Sequence, residues 1–155
     1  MENSIKDFEK TIKMISDMFN KENINRILVL EDKEYEIVYK RSSVQMLEGL
    51  TKQNRVSFFQ SIYSQILIGQ LMVTDTSNLI YAGVKNKHPR MTLAKLTDLI
   101  PIDPKEELEI IKQAMSVYLY DTKLITTMER QLEEFKKNME KDKDEDEDEQ
   151  EEGLD

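Results

Sequence analysis

Residues 103–139 read DPKEELEIIKQAMSVYLYDTKLITTMERQLEEFKKNM, and this stretch sets the class of fold. Asp103 offers a side-chain oxygen to the free N–H groups of a first helical turn. Pro104 is suited to the first helical position, and Glu106 puts a carboxylate near the positive end of the helix dipole. Leu108, Ile111, Met115, Tyr118, Thr122 and Ile125, then Met128, Leu132, Phe135 and Met139, follow at spacings of 3 and 4 with a shift of phase near Ile125 to Met128. One apolar stripe on a long helix running to about Met139 is expected. Its second half thins to single apolar residues among charges, as in Glu129 to Glu134. That part projects from the body or pairs with another copy.

Upstream, Ile5, Phe8, Ile12, Ile15 and Phe19 repeat the helical spacing. They mark residues 1–25 as an N-terminal amphipathic helix, with Ser4 as its cap, Asp7 in the capping-box position and a break from Asn20 to Asn25. A β-hairpin is expected at 27–40: a first run Ile27 to Leu30, a polar turn Glu31 to Glu34, and a second run in which Tyr35, Ile37 and Tyr39 share one face. Ser42 or Ser43 caps a short helix carrying Val44, Leu47 and Leu50. From Val56 to Met72 apolar residues occupy more than one stripe, so this segment reads as the central core helix. Asp75 or Thr76 caps the next helix, which stops before Lys87-His88-Pro89. Thr92 caps another, with Leu93, Leu96, Leu99 and Ile100, and Pro101 ends it. The expected fold is mainly α with a small N-terminal β-hairpin: a helical bundle with a long C-terminal helix. Residues 26–140 form a single helical domain.

The remainder, residues 141–155, is a tail with two Lys against ten Asp or Glu, a net −8 of the chain's −9. It has too little apolar surface to offset chain entropy, and disorder is expected. The body is therefore close to neutral, which is unfavourable for gripping phosphate backbones. Cysteine is absent, which excludes disulfides, thiolate metal sites and a Cys nucleophile. No basic run followed by an apolar stretch opens the chain, so no signal peptide is expected. The longest apolar stretch, near Ile66 to Val73, is far too short to span a bilayer.

No catalytic grouping emerges. The single histidine, His88, stands beside Pro89 in a loop and cannot form a His-pair metal site. Glycine-rich phosphate loops and a serine elbow are missing. Acidic pairs such as Glu106-Glu107 and Glu133-Glu134 lie on solvated faces. No enzyme, cofactor or metal is therefore expected. Lys85, Lys87, His88, Arg90 and Lys95 make the one basic cluster. The nine Met residues suit either core filling or a surface that accepts varied apolar partners.

The middle of the chain runs Leu79-Ile80-Tyr81-Ala82-Gly83-Val84-Lys85, then Lys87-His88-Pro89-Arg90-Met91-Thr92-Leu93, then Leu96-Thr97-Asp98-Leu99-Ile100. Over residues 26–102 this resembles the tail assembly chaperones of long-tailed phages and related gene-transfer-agent proteins. Tyr81, Ala82 and Gly83 match a helix of that family, His88 and Pro89 the loop after it, and Thr92 the start of the next helix. The resemblance implies a protein of the host cell cytoplasm that binds the tape measure protein during tail morphogenesis. It further implies help in recruiting the major tail tube protein, and absence from the finished virion. Residue for residue, the same motif has structural jobs: Gly83 permits close packing or a helix end, Pro89 stiffens the loop, and Thr92 satisfies free N–H groups.

A partner or self-association surface is expected on Ile5, Phe8, Ile12, Ile15 and Phe19 and on Met128, Leu132 and Phe135. Homo-oligomers are left open, while nucleic acid and membrane are not expected partners. The alternative function is a small phage or bacterial regulatory protein binding nucleic acid or a transcription factor through the Lys85 to Lys95 cluster.

Overall fold

A computed structural model describes residues 2–19 and 24–152, with side chains described for residues 4–19 and 24–142. Among the described residues there are seven helices and one antiparallel hairpin: α1 (Glu2–Met18), β1 (Ile27–Leu30), β2 (Lys33–Glu36), α2 (Arg41–Thr51), α3 (Arg55–Ile68), α4 (Val73–Val84), α5 (Leu93–Leu99), α6 (Pro104–Thr122) and α7 (Leu124–Glu152). The fold is thus mainly helical with a small hairpin, as expected. The chain divides into two compact units. One gathers α1 with α7 from Ile125 onward; the other runs from Phe19 to Leu124.

In the first unit, α1 begins at Glu2, so Ser4 lies inside the helix and does not cap it. The apolar spacing that starts at Ile5 marks a face, and a face does not fix where the backbone starts to coil. Ile12, Ile15, Ile125, Met128 and Leu132 are buried, and Lys136 forms an ion pair with Glu9. Helix α7 continues through the acidic segment to Glu152, and residues 153–155 of the segment expected to be disordered lie outside the described residues. So do residues 20–23, most of the expected break.

The second unit is organised by α4, which packs on β2, α2, α5 and α6. Leu79, Ile80, Ala82, Gly83 and Val84 are buried on it, and so are Thr76, Ser77 and Asn78. This corrects the assignment of the central helix to Val56–Met72. Helix α3 buries Phe58, Phe59, Ile62, Tyr63 and Ile66, but its last turn leaves Leu67 and Ile68 in solvent. An all-round apolar helix is normally surrounded; here part of that surface stays uncovered. The cap of α4 is also corrected, from Asp75 or Thr76 to Met72, which provides no side-chain bond.

The hairpin turns more tightly than expected. Leu30 pairs with Lys33, so only Glu31 and Asp32 form the turn, and both take positive φ, 48° and 64°. A two-residue turn of this hand matches the twist of the strands. The ladder closes at Glu36, yet Tyr35, Ile37 and Tyr39 are all buried, as their alternation predicts. Ser43 sits at the third position of α2, where its Oγ accepts the Lys40 N–H at 3.0 Å, so it secures the helix start from within. The local signals at α5 and α6 hold as read: Thr92 accepts from the Lys95 N–H at 3.2 Å and Asp103 from the Lys105 N–H at 3.1 Å. The long stripe from 104 to 139 is broken once, at Lys123, whose φ of 55° ends α6. That break accounts for the shift of phase near Ile125.

Aromatic rings tie the elements of this unit together. Tyr39 and Tyr118 meet edge to face at 5.3 Å, and Phe58 stands edge to face on Tyr118 at 6.1 Å. The Tyr39 hydroxyl donates to the Leu79 carbonyl at 2.7 Å and that of Tyr118 to the Arg55 carbonyl at 3.3 Å. Burial pushes both phenol pKa values up from 10.0, Tyr39 especially. The folded chain therefore holds these protons more tightly than the unfolded chain. Their contribution to stability is intact below about pH 10 and falls as pH rises through the unfolded value towards the folded ones. Urea unfolding followed by circular dichroism is expected to weaken from about pH 10 upward, and Tyr39→Phe is expected to flatten that decline. A profile unchanged at alkaline pH contradicts the burial described.

Candidate partner-binding surface

The turn from α3 to α4 is built to show apolar side chains. Helix α3 stops because Gly69 takes a left-handed φ of 77°, where a side chain would be strained, and its N–H donates to the Gln65 carbonyl at 2.9 Å. Gln65 then clasps the next helix. Its Oε1 accepts the Met72 N–H at 2.8 Å, and its Nε2 donates to Asp75 at 2.7 Å. Held this way, Leu67, Ile68, Met72 and Val73 stand in solvent, Ile68 at 69% exposure. On the link between α5 and α6, Ile102 is 94% exposed.

Two shallow grooves adjoin these residues. The first, about 220 Å³, lies among Val73, Thr76, Ser77, Thr97, Ile100, Pro101, Ile102 and Glu107. The second, about 390 Å³, lies among Gly69, Leu71, Pro104, Lys105, Glu107 and Leu108. Glu107 belongs to both. Burial raises its carboxyl pKa above the ordinary value, since a carboxylate loses solvation against apolar walls. Thr76 Oγ1 and Ser77 Oγ are buried with no hydrogen-bond partner among the described residues. Isolated exposed aliphatics are common on protein surfaces, but a cluster beside a groove is a feature of interaction sites.

The surface expected from sequence is distributed otherwise. Ile12, Ile15, Phe19, Met128 and Leu132 are buried, Ile5 is partly covered, and only Phe8 and Phe135 are exposed. A partner meets the buried five only if the chain opens. The helical spacing that drew attention to those residues is the spacing of any covered face.

The Tyr81 to Thr92 motif is architectural. Gly83 lies where a Cβ would come within 2.7 Å of Ile37 Cγ2 and 2.8 Å of Tyr39 Cζ, and its carbonyl accepts the Val38 N–H at 3.0 Å. Ala82 is buried; Tyr81 lies under the Lys85 ammonium, 5.7 Å from the ring centre. The Lys85 ammonium donates to the carbonyls of Pro89 and Met91 at 2.7 and 2.9 Å, which shapes the loop, and His88 stands edge to face on Tyr35 at 5.1 Å. Lys87, His88, Arg90 and Lys95 border a hollow of about 440 Å³.

One constellation gave no signal in sequence. Arg26 donates to both carboxylate oxygens of Asp121, at 2.9 and 2.6 Å, and Asp121 also accepts the Tyr39 N–H at 2.9 Å. Arg26 reaches the Ile37 carbonyl at 3.3 Å as well. The start of β1, the stretch after β2 and the end of α6 are joined through these two side chains. Asp121 also lines a polar hollow of about 520 Å³ with Lys40, Arg41, Glu48 and Arg55.

Among the described residues, no group of three or more His, Cys, Asp or Glu is placed to hold a metal ion, and no helix is long and apolar enough to cross a membrane. No protein-family model, no curated protein and no solved structure matches this chain.

Proposed function

We propose that this chain is a binding protein without catalytic activity that shields apolar helical stretches of another polypeptide. We further propose that it does so as a tail assembly chaperone, with the tape measure protein as client and recruitment of tail tube subunits as the result. In this reading it works in the host cytoplasm and is left out of the finished virion. The observation that carries the binding reading is the cluster of uncovered aliphatic side chains at the α3–α4 turn and at Ile102. Covering such a side chain is worth about 1–2 kcal/mol each, enough for several together to hold a client and to keep its own apolar stripe out of water. The likeness of residues 26–102 to the chaperone family supplies the client. The acidic segment 141–155 gives the complex a strong net charge of one sign, which opposes aggregation.

Co-expression tests this. A tape measure protein that is insoluble alone is expected to become soluble with the chain and to co-purify with it. If its solubility is the same with and without the chain, the chaperone reading is wrong. Nucleic-acid binding through the Lys87 to Lys95 region has less support, because Lys85 is committed to the Pro89 and Met91 carbonyls. The segment 141–155 also competes with a polyanion. A low-salt gel shift separates the two readings.

A further inference from the structure

We propose that the two grooves meeting at Glu107 take an amphipathic helix from a partner protein, and that this helix sets one lysine or arginine against the Glu107 carboxylate. This rests on the reading that the surface binds another polypeptide, and it adds where the partner lies and what its sequence must contain.

The walls of the grooves are helices, the α3–α4 turn and the link between α5 and α6. No strand edge borders them, so an extended segment gains no ladder of hydrogen bonds there. A helix already satisfies its own backbone and brings aliphatic side chains at spacings of 3 and 4. The grooves have room for a few such side chains each. Ile102 lines the first groove, and the exposed Ile68 and Met72 are next in the chain to the lining residues Gly69, Leu71 and Val73, so all three are available to pack on an incoming helix.

Charge decides the rest. Glu107 lines both grooves, so an occupant that fills them covers it further. Among the described residues the Glu107 carboxylate has no hydrogen-bond or ion-pair partner, and the Lys105 ammonium, beside it in the second groove, forms no ion pair either. A wholly apolar occupant would strand the carboxylate, and an acidic one would repel it; both lose binding energy. A basic side chain at the edge of the apolar stripe turns that loss into a paired contact.

The probes are two labelled helical peptides of about five turns. Both have the same Leu stripe; one carries a single Lys at the stripe's edge and the other a Glu in that place. Fluorescence anisotropy with the full chain is expected to show the Lys peptide binding about fivefold or more tightly than the Glu peptide. Glu107→Lys is expected to reverse the order, and Glu107→Gln to bring the two peptides close together. Ile68→Asp combined with Ile102→Asp is expected to abolish binding of both. Circular dichroism confirms that each variant is folded. Equal binding of the two peptides, or binding indifferent to Ile68→Asp and Ile102→Asp, overturns the proposal. So does a dimer of the chain alone that Ile68→Asp dissolves, since a second copy is then the occupant. If the Ile68/Ile102 variant still keeps the tape measure protein soluble, the groove proposal fails and the chaperone reading stands. If the wild-type chain never does so while the peptide order holds, the chaperone reading fails and the groove remains a binding site.

Discussion

Gly83→Ala is expected to destabilise the Phe19–Leu124 unit by about 2 kcal/mol, although alanine is the better helix former. In an open helical position the exchange of glycine for alanine gains about 0.5–1 kcal/mol. At Gly83 the added methyl would lie 2.7 Å from Ile37 Cγ2 and 2.8 Å from a ring carbon of Tyr39, about 1 Å inside ordinary contact. Neither neighbour is free to retreat. Ile37 is buried, and Tyr39 is held by its bond to the Leu79 carbonyl and its packing on Tyr118. Overpacking of this kind costs about 1–3 kcal/mol, more than the propensity gain returns. Gly49 supplies the control within the same unit: it lies in α2, and a Cβ there meets nothing within 4 Å. Gly49→Ala is expected to raise stability by about 0.5–1 kcal/mol. Urea midpoints at constant m-value measure both. Equal effects of the two substitutions would show that α4 does not approach the hairpin as closely as described.

The other large effect is at Asp121. Asp121→Ala is expected to cost about 2–4 kcal/mol. It strips Arg26 of a two-pronged partner and leaves the Tyr39 N–H without an acceptor. The Asp121 side chain is only 10% exposed, whereas Arg26 is 32% exposed. Water therefore recovers part of the loss when Asp121 is removed, and less of it when Arg26 is removed and the buried carboxylate stays. Arg26→Ala is thus expected to cost at least as much, and the double variant less than the sum of the two. A coupling of about 1–3 kcal/mol from the double-mutant cycle is the expected signature. Amide exchange at Ile37 and Tyr39 should speed up in each variant, because both residues are tied into this junction. Additive effects would mean that the two side chains do not act together.

What sequence patterns reveal here follows the range of the interaction. Thr92 and Asp103 were legible as caps because a cap needs only the next three residues. Tyr35, Ile37 and Tyr39 were legible as one face because alternation is local. The phase shift near Ile125 hinted at the break at Lys123, but a lysine carries no mark of a left-handed conformation. Arg26 and Asp121 lie 95 residues apart, and nothing local pairs them. The exchange of roles between α3 and α4 was hidden for a different reason. Helix α3 has the richer apolar content, while α4 carries Thr76, Ser77 and Asn78, whose polarity argues against the burial they have. Of the groove residues, Val73 was visible only as the end of an apolar stretch, Glu107 only as one of an acidic pair, and Ile102 stood out not at all. Only the tertiary path of α4, α5 and α6 brings Val73, Ile102 and Glu107 around one hollow.

The Gln65 clasp has a consequence for affinity. A loop that must settle on its target surrenders conformational freedom at that moment, and the bound state is weaker by that amount. Here one glutamine fastens the end of α3 to the start of α4 before any target arrives. The aliphatic residues beside it are thus presented on a backbone whose ordering was completed during folding. Gln65→Ala would leave those greasy side chains in place and still slacken the frame that displays them.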